Sequence, residues 1–151
     1  MNTLSKSLSR LLAMWCLLAF AGFASASAAE ESAPDTAIKA HYVEIVTESV
    51  DQQCRALEKI HGLSFGPKVP ELGQARVAQT GDGTFIGVRA PLAEHEQPIT
   101  RVYFEVEDIG QAVKKAQAAG AIIAYPPTKQ GETGTWAIYI LNGRQYGLWQ
   151  E

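Results

Sequence analysis

Two residues in this chain carry the types and spacing that chemistry would need. His41 opens the segment His41-Tyr-Val-Glu-Ile-Val-Thr-Glu48, and Arg101 opens Arg101-Val-Tyr-Phe-Glu-Val-Glu-Asp108, 60 positions later. An imidazole titrates near an ordinary pKa of about 6.5, so His41 could act as a base toward a substrate within reach. Arg101 is permanently cationic and would steady negative charge on a carboxylate or carbonyl oxygen. Alternation along each segment places Val43 and Ile45 on the face of His41, and Tyr103 and Glu105 on the face of Arg101. Glu44 has the opposite parity and is expected to point away, toward helices. The plain alternative is that His41 is a hydrogen-bonded structural residue and that Glu105 pairs with Arg101. His61, just before Gly62, and His95, in a polar stretch, read as surface residues. The chain shows no Ser-His-Asp set, no phosphate-cradling glycine loop and no Cys-His pair. Gly81-Asp-Gly83 reads as a hairpin turn.

The elements that must position these residues come in two copies. Each opening strand is followed by a helical pattern, residues 50–60 (VDQQCRALEKI) and 109–119 (IGQAVKKAQAA), and each helix ends at a glycine, Gly62 or Gly120. Strand signals then follow at 63–65, 75–79 and 85–89 in the first copy, and at 122–125, 135–141 and 146–150 in the second. The closing strands repeat at the same 60-residue offset: Gly83-Thr-Phe-Ile-Gly87-Val-Arg89 matches Gly143-Arg-Gln-Tyr-Gly147-Leu-Trp149. Each half reads β-α-β-β-β, too small to bury its own sheet, so the halves are expected to pack together. Residues 91–98 (PLAEHEQP) are polar and proline-bounded and fit as the linker.

Composition bounds the rest. The 151 residues allow one ordinary domain, and 46% hydrophobic residues exclude a wholly disordered chain. A net charge of −3 argues against nucleic-acid binding. Residues 1–28 run from Lys6 and Arg10 through an apolar stretch to Ala24-Ser-Ala-Ser-Ala28, the order of a secretory signal peptide. The apolar run is shorter than the roughly 20 residues a membrane span needs. Cleavage between Ala26 and Ala29 would leave a periplasmic or secreted bacterial protein with no membrane attachment. Residues 29–37 are expected to be a disordered leader. Cys16 would be lost with the signal, and Cys54 would remain as a lone thiol, expected to be buried and inert.

Val106-Glu-Asp-Ile109, Ala119-Gly-Ala121, Pro126-Pro127 and Gly147-Leu-Trp-Gln150, with residues 67–73 (PKVPELG) after Gly62-Leu-Ser-Phe-Gly66, resemble a glyoxalase-like subgroup of the vicinal oxygen chelate superfamily. That superfamily includes glyoxalase I, bleomycin-resistance proteins and extradiol dioxygenases. The resemblance covers residues 38–151 and implies an α+β fold: two βαβββ modules, 38–92 and 98–151, forming a cupped eight-stranded mixed sheet with helices on its outer face. It also implies a homodimer, and a divalent metal held by one His, Glu or Gln from the first and last strand of each module.

By motif position the first-strand sites are His41 and Arg101 and the last-strand sites are Gly87 and Gly147. Only His41 could bind a metal, so no metal or other cofactor is expected. The resemblance then implies a cup for a small anionic, carbonyl or aromatic ligand. Arg101 and His41 would meet the polar group, and Tyr103 and Glu105 would flank them. Gly87 and Gly147 would leave room for a ring, and Trp149 with Tyr139 or Trp136 would wall it. Arg89, the first-module match of Trp149, would line the cup or cap a strand end. Two alternatives stand beside metal-free binding: a glyoxalase-like lyase, isomerase or hydroxylase using His41 and Arg101, and a non-catalytic interaction subunit.

Overall fold

The computed structural model describes residues 38–151; the expected signal peptide and leader lie outside the described residues. The first module runs β1 (Ala40–Val46), α1 (Val50–His61), β2 (Lys68–Val69), a 3-10 turn (Pro70–Leu72), β3 (Ala75–Gln79) and β4 (Phe85–Arg89). The second runs β5 (Ile99–Glu105), α2 (Ile109–Ala118), β6 (Ile122–Lys129), β7 (Thr135–Leu141) and β8 (Arg144–Gln150). All eight strands form one open mixed sheet in the order β2-β3-β4-β1-β5-β8-β7-β6. The modules join through antiparallel β1 and β5, and within each module the first and last strands pair in parallel. The α+β architecture of two βαβββ modules is therefore as the sequence pattern implies.

Helix ends follow local chemistry. Gly62 closes α1 at φ +69°, and its N–H donates to Glu58 O; Gly120 follows α2 at φ +87°. Asp108 caps α2 by accepting from Gln111 N at 2.9 Å. One expected strand is absent. Residues 63–65 are irregular, because Gly66 and Pro67 turn the chain so that Phe65 buries under α1 and pairing begins only at Lys68. Pro126 and Pro127 are tolerated inside β6 because it is an edge strand.

Both helices pack on one face of the sheet. Cys54, Phe65, Ala78 and Val88 form the core beneath α1, joined by Ile45; Ile109, Ala137 and Leu148 form that beneath α2. Cys54 is fully buried, and burial pushes its thiol pKa up. On the opposite, concave face Tyr42, Tyr103, Ile138 and Trp149 form a third, aromatic cluster.

The register of β1 departs from simple alternation at one residue. Ala40 pairs with Phe104 and Tyr42 pairs with Tyr103, so His41 is the extra residue of a β-bulge. Every position after the bulge has the parity opposite to that counted from His41. Tyr42 and Glu44 therefore face the concave side, and Ile45 faces α1, the reverse of the sequence expectation.

Each last-strand glycine is covered by a tyrosine of the opening strand. Tyr42 lies over Gly87, where an added Cβ would fall on its hydroxyl, and Tyr103 lies over Gly147, where a Cβ would fall on its ring. The room at each glycine is thus filled by the protein's own tyrosine. Gly147→Ala should destabilise the fold by roughly 1–3 kcal/mol through overpacking. In urea denaturation that loss should shrink when combined with Tyr103→Ala, a coupling that a double-mutant cycle will measure.

Candidate functional site

The concave face holds a cavity of about 690 Å³, within the range of small-molecule sites. Its walls are Tyr42, Tyr103, Trp136, Ile138 and Trp149 on the sheet, with Tyr125 from β6 and Leu72 and Leu92 from loops. The rings lock one another. Tyr42 tilts against Tyr103 at 5.6 Å between centroids, and Trp149 meets Tyr103 edge-on at 6.2 Å. Trp149 is fixed from behind by Gly134 (φ +139°), whose missing side chain lets the indole Nε1 sit against the β6–β7 turn.

The polar end of the cavity is built around Glu44. Its Oε1 accepts from Arg89 Nε at 2.6 Å, and its Oε2 accepts from Arg101 Nη1 and from the Tyr103 hydroxyl at 3.1 Å. Arg101 Nη2 donates to Gln145 Oε1 at 2.6 Å. Arg89 carries a second carboxylate: Nη1 and Nη2 donate to the two oxygens of Glu96 at 2.8 and 2.7 Å. The side chains of Arg89, Arg101 and Glu44 are all under a tenth exposed. Two guanidiniums and two carboxylates thus balance in one buried network. Its lone polar atom without a partner among the described residues is Arg101 Nε.

The expected site residues divide accordingly. Arg101, Tyr103 and Trp149 line the cavity, as do Trp136 and Arg89. His41 does not. The bulge turns it to the far side of Trp149, where it stacks on the indole at 4.8 Å and 16°, with Glu105 and Glu151 near its Nδ1. Burial pulls its pKa below the ordinary value, against the opposite pull of those two carboxylates. Glu105 does not pair with Arg101 but with Lys39, at 2.7 Å. Gly87 and Gly147 are covered by Tyr42 and Tyr103, and Tyr139 faces α2 and stacks on Tyr146 at 5.4 Å. His95, expected on the surface, is exposed at the cavity rim. Glu44, expected to point toward the helices, lines the cavity instead, together with Glu96.

Pattern counting from His41 missed Glu44, Tyr42, Gln145 and Glu96. A signal for the first two was present: Tyr42-Val-Glu44 and Tyr103-Phe-Glu105 repeat at 61 positions, one more than the glycines. Nothing local marks Glu96, whose role comes from the path of residues 90–98.

No protein-family model and no curated protein matches the sequence. Solved structures do match by fold. A hypothetical protein, BH1468 from Bacillus halodurans C-125, superposes with a TM-score of 0.62 at 14% identity, over 76% of this chain and 95% of that one. Methylmalonyl-CoA epimerase from Mycobacterium tuberculosis gives 0.57 at 16% identity, over 74% and 86%. A methylmalonyl-CoA epimerase of Streptomyces coelicolor gives 0.56 at 15%, over 75% and 96%. The chain has the vicinal oxygen chelate fold. At these identities the likeness carries the architecture and not the activity.

The metal associated with that fold does not suit the residues present. The opening-strand side chains over Gly87 and Gly147 are Tyr42 and Tyr103, and burial pushes both phenol pKa values up, so they stay protonated. A neutral phenol is a poor ligand and glycine offers none. Glu44, the nearby carboxylate, is held by two arginines. Among the described residues no group of three or more His, Cys, Asp or Glu side chains is placed to hold a metal ion.

Two outcomes follow from the network. Glu44→Gln should cost about 3–5 kcal/mol in urea denaturation, because it leaves two buried guanidiniums without their shared carboxylate. Hydrogen bonding from Arg89 lowers the Glu96 pKa from 4.5 to about 2. A depressed carboxylate pKa stabilises the fold above its unfolded value and ceases to do so as pH falls through the folded one. The stability difference between wild type and Glu96→Gln should therefore be full above about 4.5 and vanish near pH 2, measured by denaturation at stepped pH.

Proposed function

We propose that this protein binds a small aromatic compound carrying a carbonyl or related oxygen acceptor, in a vicinal oxygen chelate cup that works without a metal. The observation that carries the reading is the cavity itself. It is walled by Tyr103, Tyr125, Trp136 and Trp149, and it ends in a buried arginine pair whose charge is already balanced. Aromatic walls favour a planar ring. The balanced network gives no reason to prefer a free cation or a second uncompensated anion, so a neutral oxygen acceptor suits the polar end.

An enzyme relying on His41 and Arg101 together is less well supported, because His41 does not line the cavity that Arg101 lines. The amino-terminal pattern supports an exported protein, processed between Ala26 and Ala29. The exposed β6 edge, with Ile122 and Tyr125 at 68% and 57% exposure, supports a second copy sheltering the cup.

Two of the three tryptophans, Trp136 and Trp149, line the cavity and report on it directly. Benzamide and acetophenone should quench their fluorescence and raise the melting temperature in proportion to concentration. Trp136→Ala should weaken that binding by about tenfold, the loss of one stacking wall. Absence of quenching across aromatic carbonyl compounds, in a protein that melts cooperatively, would refute the reading.

A further inference from the structure

The pair between Arg89 and Glu96 has the geometry of a ligand carboxylate in a guanidinium fork, yet the carboxylate belongs to the chain's own linker. The arginine side is rigid. Arg89 is 5% exposed, ends β4, and is held by Glu44 at Nε and by Ala90 O at Nη1. The glutamate sits on an irregular, largely exposed segment. Residues 90–98 form no strand or helix, and Leu92, Ala93, Glu94, His95 and Gln97 are exposed. Glu96 Oε2 also accepts from Leu92 N at 2.7 Å, so the same carboxylate folds the segment back on itself. Arg89, Leu92 and Glu96 all line the cavity, and Leu92 closes against Gly73 beside Arg89.

We propose that Glu96 is a resident stand-in for a ligand carboxylate, so that an aromatic carboxylate displaces it from Arg89 and releases residues 90–98 from the cavity mouth. This rests on the cavity binding an aromatic compound. The exchange swaps one carboxylate for another, so the buried charge balance around Glu44 is unchanged and no unpaired charge is created. A bidentate guanidinium fork accepts either carboxylate with the same two hydrogen bonds. The incoming group must overcome the advantage Glu96 has by being tethered, and ring contacts with the aromatic walls supply that difference.

The test compares benzoate with benzamide, equal in ring and different in charge, on the full chain. Calorimetry on wild type, Glu96→Ala and Glu94→Ala separates site from general charge, since Glu94 is an exposed neighbour on the same segment. Benzoate affinity should rise about tenfold or more in Glu96→Ala and less than about twofold in Glu94→Ala, with benzamide little changed in either. In wild type, benzoate should speed amide hydrogen exchange across residues 90–98. That measurement needs no variant and covers a Glu96→Ala protein that fails to fold. Equal gains in both variants, or benzoate slowing exchange in residues 90–98, would overturn the exchange. Benzamide binding with benzoate indifferent to Glu96→Ala would also overturn it while leaving the aromatic cavity standing. If neither probe binds any variant, the cavity reading falls and this inference with it.

Discussion

One extra residue in one strand governs the chemistry of the concave face. His41 interrupts the β1–β5 ladder, so that Tyr42, and not His41, lies opposite Tyr103. Because strand side chains alternate with a period of two, the shift carries Glu44 from the helix face to the cup. The same shift sends Ile45 into the α1 core and leaves His41 stacked behind Trp149. Without the bulge the cup would contain two arginines and no nearby partner from β1.

Glu44 then organises what surrounds it. A buried carboxylate is costly unless its charge and lone pairs are satisfied, and here two guanidiniums and a phenol do so. The arginines come from β4 and β5, the strands on either side of β1, so the network ties the two modules together across their junction. Arg89 has capacity left over, and Glu96 takes it up. The linker between the modules is thereby drawn into the cavity wall.

The two tyrosines give the fold a second device of the same kind. Each lies over a last-strand glycine and fills the space that a side chain there would need. The phenols remain neutral because burial disfavours the phenolate. Fold and site thus separate cleanly. The architecture is shared with methylmalonyl-CoA epimerases, and at 16% identity that likeness carries the fold and not the activity.

The sequence alone was enough for the architecture. The doubled β-α-β-β-β pattern, the cap glycines Gly62 and Gly120 and the matched glycines Gly87 and Gly147 depend on local periodicity and backbone freedom, which short stretches of residues encode. The roles of Arg101, Tyr103 and Trp149 as cavity residues followed from parity in strands that are regular. The roles of His41, Glu44 and Tyr139 did not. A bulge arises from how two strands 60 residues apart settle against each other, and alternation inside one strand cannot reveal it. Strand β7 has the same difficulty, since only its pairing with β8 decides that Trp136 and Ile138 face the cup while Tyr139 faces α2. Glu96 lay furthest from view: a polar residue in a polar linker acquires its partner only when tertiary folding brings the end of β4 beneath it.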